Sequence, residues 1–446
     1  MTPQAERNPA TGITSIDGES MVFHCNHYNR FLQLVVEDCH YIDFEGILTC
    51  SAAEVAFRQL RQHFQSQPDL SLQERAEAAD ALYRFCGFGS LPLAVLRGAV
   101  PEAIILRETA SHYGQALRLN YGKRRRAGEY FDLGFAIGAC SAIYDAPFTG
   151  NFGTQSISLG DQETNLSLYQ DESYRYLFDL PPARLPDLPV HASEVPPRHL
   201  GLHIDEDSII GSVGGLPLWG DAETGLIPAF GVYLTRHYAD YYNLISFRFE
   251  HALKDAMATH HYLAEMLSYE YPVLFQYKKF AHLQGEDLSR TLLIEAGHIC
   301  GFHTMGGIMR SDPWYQLVVP MIQSKVDWIH GIVACINALG WGIWRVQEIT
   351  ENERLILRAW YPYESLGHLR AFGQADHPVD YLFAGIAASL MNLLYTADIT
   401  TKPDLTLDFY YQANRSTNSF WARQTLCVAQ GDPYSEIVVE RGVLVQ

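Results

Sequence analysis

Apolar and polar positions run through this chain in two similar programmes. From Val22 to about Phe64 the apolar residues recur at helical spacing, with Cys, Tyr and His interleaved, and predict helix. Ser71, followed three residues on by Glu74, is a capping box. The helix it opens should run to about Phe85, where Cys86-Gly87-Phe88-Gly89 breaks it. Ala103 to Arg107 reads as a strand, Glu129 to Tyr144 as an apolar helix with small residues, and Gln155 to Leu159 as a closing strand. The order then returns. Helical sequence covers about 241–280, 286–308 and Trp314 to Leu339, and Gly340-Trp341-Gly342 stops it. A hairpin of Ile343–Ile349 and Arg354–Trp360 follows, then a helix from Asp380 to Tyr395 and a strand from Leu405 to Tyr410.

The return keeps register. Glu102-Ala103-Ile104-Ile105-Leu106-Arg107 matches Glu353 to Arg358 at a spacing of 251 (353 − 102), and Glu129-Tyr130, Gly134 and Tyr144 match Asp380-Tyr381, Gly385 and Tyr395 at the same spacing. Earlier, His24, Glu37 and His40 match His282, Glu295 and His298 at 258 (298 − 40), as if one loop changed length between copies. The expected fold class is α+β and internally duplicated: two helix-hairpin-helix-strand copies with pseudo-twofold symmetry. Residues 1–20 are expected as a flexible tail, 21–178 as copy one, 179–240 as a Pro/Gly-rich linker or lid, and 241–446 as copy two.

Composition narrows the partners. The chain has 446 residues, 48% of them hydrophobic, and 32 basic against 51 acidic residues give a net charge of −19. Nucleic acid and anionic membrane surfaces both demand a positive field, so neither is expected as a partner. Lys123-Arg124-Arg125-Arg126 is the local exception, readable as a solvated loop or an anion site. No apolar run approaches the ~20 residues of a membrane span. Eight cysteines are dispersed without CxxC spacing, and with no export signal visible they are expected reduced, in the cytoplasm.

The matched polar residues suggest a chemistry. A Glu-x-x-His pair offers a carboxylate and an imidazole to one face of a helix. Two such pairs facing each other, with carboxylates from two further helices, form the ligand set of di-iron and di-manganese carboxylate sites. Glu37, His40, Glu295 and His298 are the expected inner ligands. Asp327 and His330 on the second helix of copy two, with Glu74 and Glu77 on the second helix of copy one, are the further candidates. His24 and His282 lie ~20 Å up a straight helix from their glutamates, so they could join only from a segment that folds back. Buried ion pairs at the junction of the copies are the alternative for the same residues. His298-x-Cys300-x2-His303 has zinc-like spacing, yet copy one has Ile42 and Glu45 at the matching places. No serine nucleophile elbow or phosphate loop is present.

Three short motifs carry a family resemblance: the Leu355-Ile356-Leu357 strand, the Ala384-Gly385-Ile386-Ala387-Ala388 helix, and Cys427 followed by Gly431-Asp432. In their order and spacing the chain resembles the 4-vinyl-reductase domain, an α+β module of bacteriochlorophyll biosynthesis proteins and hydrocarbon binders. The resemblance is best over about 290–440 and extends by the internal repeat to about 22–170. It implies a fold that encloses an apolar ligand. Tyr434 and Glu436 stand where it would place a second cysteine, so a cysteine-ligated metal is not implied. In site chemistry the chain looks like dimetal-carboxylate oxygenases and halogenases.

The expectation is therefore an enzyme with two metal ions, iron before manganese or zinc, using O2 to oxidise, hydroxylate or halogenate an apolar, acyl-chain-like substrate. The alternative is a non-catalytic binding or sensor protein for a small hydrophobic ligand or tetrapyrrole. A homodimer is compatible with either.

Overall fold

Two strands from distant parts of the chain pair at the centre of the molecule. The computed structural model describes residues 3–182, 195, 203–270 and 285–442; His282 lies outside them. β1 (Glu6–Arg7), β2 (Thr14–Ile16) and β3 (Glu19–Cys25) form the start of an antiparallel sheet that β9 (Ile227–Ala229) and β10 (Val232–Tyr238) complete, in the order β1-β2-β3-β10-β9. β3 and β10 run from Cys25↔Leu234 to Met21↔Tyr238. Each enters through a two-residue hairpin with both residues at positive φ: Asp17 (48°) and Gly18 (82°), then Phe230 (53°) and Gly231 (77°). That is the I′ geometry whose twist suits flanking strands.

These strands correct three expectations. Residues 1–20 hold β1, β2 and part of β3, with Ile13 and Ile16 buried, so they are not a loose tail. The stretch taken as a linker contains β10, at the heart of the sheet. The helix expected from Val22 begins only at α1 (Asn26–Glu37), and after a turn α2 (Phe44–Ser66) follows. All seven residues of β3 are buried, so the polar alternation that marks a half-exposed strand is absent.

α3 (Leu72–Phe85) opens at the expected capping box, with Ser71 and Glu74 bonded reciprocally. Beyond it come β4 (Gly89–Ser90), β5 (Ala103–Glu108), β6 (Ala110–Ser111), α4 (His112–Tyr121), α5 (Tyr130–Tyr144), β7 (Phe148–Phe152) and β8 (Thr164–Gln170), with a sheet β5-β8-β7. The expected strand at 155–159 is a tight turn instead. Ser156 Oγ and the Ser158 amide both donate to the buried Glu129 carboxylate, at 2.8 Å each, and this draws the backbone inward.

The second half contains α6 (Glu206–Gly214), α7 (Ala239–Glu270), α8 (Gly285–Cys300), α9 (Gly306–Arg310), α10 (Asp312–Leu317), α11 (Lys325–Asn337), β11 (Ile343–Thr350), β12 (Arg354–Trp360), α12 (Tyr363–Phe372), α13 (Tyr381–Met391), α14 (Leu407–Asn414), β13 (Phe420–Leu426) and β14 (Ser435–Arg441). Its sheet runs β11-β12-β14-β13. The single helix expected over 314–339 is broken at Pro320, and α11 restarts at a second capping box, Ser324 with Asp327. The strand expected at 405–410 is helical because the Thr406 hydroxyl caps α14 by accepting from the Phe409 amide.

Segments matched at 251 adopt the same element in both halves: β5 with β12, α4 with α12, α5 with α13. The 258 match fails. α5 packs on α2, where a Cβ on Gly134 would lie 2.3 Å from the Thr49 carbonyl; α13 packs on α8, where one on Gly385 would lie 2.2 Å from the Ile294 carbonyl. The counterpart of α8 is therefore α2, at 245 (294 − 49), and α1 holds a different place. Pairing Glu37 with Glu295 compared helices that do different things.

Gly385→Ala is expected to lose about 2 kcal/mol in urea unfolding, because backbone atoms on both sides must move. Gly211→Ala, in α6 with nothing within 4 Å of the new methyl, should gain about 0.5 kcal/mol. Equal effects at the two sites would show that close packing of α8 on α13 is not what demands Gly385.

Candidate functional site

The expected inner ligands are held apart by separate partners. Glu37 ends α1 with its carboxylate fully buried, accepting from Arg124 Nη2 at 2.5 Å, Arg126 Nε at 2.9 Å and Gln33 Nε2 at 3.4 Å. The basic loop noted in the sequence supplies these charges, so this part of it is neither a solvated face nor a free anion site. His40 lies past the end of α1, exposed, because the helix stops at Glu37; the pair therefore has no common helical face. Glu295, on α8, accepts from His298 Nδ1 at 3.0 Å, Arg415 at 2.5 Å and the Tyr410 hydroxyl. Burial alone would raise the Glu295 pKa, but the His298 contact, with Tyr410 and Arg415, brings it below the ordinary value.

The further candidates serve helix ends and surfaces. Asp327 and Glu74 are the third residues of the two capping boxes, and their carboxylates accept from Ser324 and Ser71. Their 253 spacing (327 − 74) marks two equivalent helix starts. Glu77 accepts from Gln73 on the exposed side of α3, and His330 is buried on α11. Among the described residues no three His, Cys, Asp or Glu side chains stand together so as to hold a metal ion.

His24 sits instead in a cage of aromatic rings between the halves, stacked on Tyr28 at 4.3 Å and Trp341 at 4.9 Å. Its Nε2 lies 3.3 Å from the Tyr363 hydroxyl and its Nδ1 3.5 Å from Cys300 Sγ. Across the sheet His237 stacks on Tyr241, with Nε2 3.0 Å from the Tyr113 hydroxyl. Each half thus lends a tyrosine from the first turn of α4 or α12 to the histidine of the other half's strand. His112 accepts from Asn29 Nδ2 at 2.9 Å, which leaves its proton on Nδ1. Burial holds His24 and His237 well below the usual imidazole range and His112 at about 3, so all three are neutral packing groups at physiological pH.

Near them the Tyr83 hydroxyl bridges Glu108 (2.6 Å) and Asp132 (2.8 Å), its one proton going to one carboxyl while the other, protonated, donates to it, and Ser111 donates to Asp132. Burial pushes Glu108 well up and raises Asp132 to about 7, so at least one of the two carboxyls keeps its proton.

Open space lies elsewhere, at the rim of the central sheet. A chamber of about 310 Å³ is walled by Val213 and Leu216 at the end of α6, Phe230 of the hairpin turn, Ile308 of α9, and Trp314 and Leu317 of α10. It meets a wider open groove of about 780 Å³ that includes His27, His303, Arg310 and Lys402. His27 and His303 stack face to face at 3.7 Å and 7°. Burial, then the Arg30 charge, brings His27 to about 4; burial, then His27 and Arg30, lowers His303 further below its usual range. None of the chamber residues was singled out from sequence. The available signal was the glycine-rich run Gly211 to Gly220, readable as a lid or arm.

No protein-family model matches the chain, and no curated protein matches it. Among the solved structures similar to the chain is the phenol-responsive sensory domain of the transcription activator PoxR with phenol, at 11% identity and a TM-score of 0.33, over 41% of this chain and 92% of that one. Among the described residues no helix is long and apolar enough to cross a membrane, and all eight cysteines are free.

Two outcomes follow from the buried charges. Glu37→Gln should cost about 3 kcal/mol in urea unfolding, since it leaves two guanidinium groups without a counter-charge, and should leave metal content unchanged in elemental analysis. A stable variant that loses bound metal would make Glu37 a ligand after all. The second concerns pH. Asp132 binds its proton more tightly folded (about 7) than unfolded (3.8), so its contribution is complete below 3.8 and disappears as pH rises through about 7. His112 runs the other way: its contribution is complete above 6.5 and is lost as pH falls toward about 3. The stability difference between wild type and Asp132→Asn should therefore shrink between about pH 4.5 and about pH 7.5, whereas parallel pH curves would mean that Asp132 is ionised throughout.

Proposed function

We propose that the chain is a twofold-repeated α+β protein that binds or senses a small apolar molecule without transforming it. The observation that carries this is the chamber beneath α6. Its volume falls at the low end of the ~300–1,000 Å³ of small-molecule sites, and like them it is mostly apolar with a few polar groups at its mouth. A tetrapyrrole is larger than this space, so the ligand favoured is a small one.

The reading is also supported by how the titratable groups are spent. Glu37 and Glu295 neutralise arginines, Asp327 and Glu74 cap helices, and the interior histidines are locked in aromatic packing. The dimetal oxidation expected from sequence has no assembled ligand set among the described residues to rest on.

Octan-1-ol titrated into the full chain by calorimetry should bind saturably at one site. Val213→Trp, at a half-buried position on α6, should fill the chamber and weaken binding by about tenfold or more. Absence of saturable binding, or an undiminished affinity in Val213→Trp, would remove the reading.

A further inference from the structure

The chamber and the groove share Leu216, Phe230, Ser311 and Pro313, so a ligand whose body fills the chamber presents its end group to the groove. A buried donor without an acceptor and an exposed cation without a carboxylate partner among the described residues mark that path. The first is the Trp314 indole N–H. Trp314 is 2% exposed and lines the chamber, yet its Nε1 has no hydrogen-bond partner among the described residues. The opposite edge of the ring faces α11: a Cβ on Gly331 would meet Trp314 Cη2 at 3.1 Å, so Nε1 is turned away from that glycine. A buried donor left unmatched is costly, and a ligand acceptor would recover that cost.

The second is Lys402, in the groove wall. Its ammonium lies 3.5 Å over the Tyr315 ring and has no carboxylate partner among the described residues. It is also held in place by its backbone, at φ 55° just after the Ile399–Thr401 turn. The other charges at the mouth cancel, so Lys402 supplies the surplus. Arg310 pairs with Asp404 at 2.9 Å, Asp312 lines the groove, and Arg30 acts on both His27 and His303. The stacked imidazoles are uncharged, so they neither repel a cation nor attract an anion.

We propose that the site selects small monocarboxylic acids, the apolar body in the chamber and the carboxylate in the groove against Lys402. This rests on the binding reading above and adds the head-group chemistry. Both unmatched groups donate, so an acceptor satisfies them and an ammonium satisfies neither. A neutral alcohol gains the chamber contacts but not the charge pairing.

The test compares octanoate, octan-1-ol and octylamine on the full chain by calorimetry at fixed salt. Octanoate should bind about tenfold or more tightly than the other two. Lys402→Asn removes the charge with a residue that tolerates the left-handed backbone. It should erase most of that preference by weakening octanoate far more than octan-1-ol, with circular dichroism reporting the fold intact. The inference is overturned if Val213→Trp blocks all three ligands yet octanoate has no advantage, or if Lys402→Asn leaves octanoate affinity as it was. If none of the three binds saturably, the binding reading falls together with it.

Discussion

Five residue pairs between β3 and β10 tie together parts of the chain some two hundred residues apart, and the other arrangements in the molecule depend on them. The pairing sets His24 opposite Thr235 and His237 opposite Val22, which puts one imidazole from each strand into the interior. α1 and α7 start directly where these strands end, so the sheet fixes the direction of both helices. A cluster of charges closes the junction: Arg58 of α2 bonds Glu19 of β3 and Asp240 of α7, and Arg370 of α12 reaches the same aspartate. Breaking such a partly buried set would strand charges away from water, so it specifies this docking of the halves more than it adds stability.

The β9–β10 turn connects this frame to the candidate site. Phe230 and Gly231 take the same positive-φ geometry as Asp17 and Gly18 in the β2–β3 turn, but the two turns meet different neighbours. Asp17 faces His63 of α2, at 3.1 Å. Phe230 stands in the wall between chamber and groove, and its carbonyl closes on Gly307 of α9. One backbone solution therefore gives a structural turn in one place and a wall of the chamber in the other.

What could be read from the sequence was local chemistry and repeated apolar order. The Ser71 and Glu74 box gave the start of α3 because capping depends only on residues a turn apart. The 251 spacing gave α5 and α13 because their small residues answer the same close helix contact. The 258 spacing misled because Glu-x-x-His says what a helix could offer and nothing about what faces it. Arg124 and Arg126, some ninety residues beyond Glu37, decide its role. β3 was hidden for a related reason: a strand covered on both faces shows no alternation, and its Met21-Val22-Phe23 run reads equally as the start of a buried helix. Beyond the glycine-rich run Gly211 to Gly220 the chamber was illegible, since its walls come from α6, a hairpin turn, α9 and α10, brought together only by the fold.

Where the halves differ explains where the space is. Between α2 and α3 the first half uses only residues 67–71, a short turn with no element of its own. Between α8 and α11 the second half uses residues 301–324, and these build the bulged turn after Cys300, then α9 and α10. Ser311 and Pro313 start α10 so that one edge of Trp314 packs on Gly331 and Trp328 of α11 while the ring also lines the chamber, and Val213 and Leu216 wall it from the other side. A core packed to ordinary density cannot open a chamber without losing contacts. Added elements at its margin can enclose one while the sheets and the α8–α13 contact stay as they are. The sheets and the α8–α13 contact thus make the scaffold, and the chamber lies among the elements added between α8 and α11.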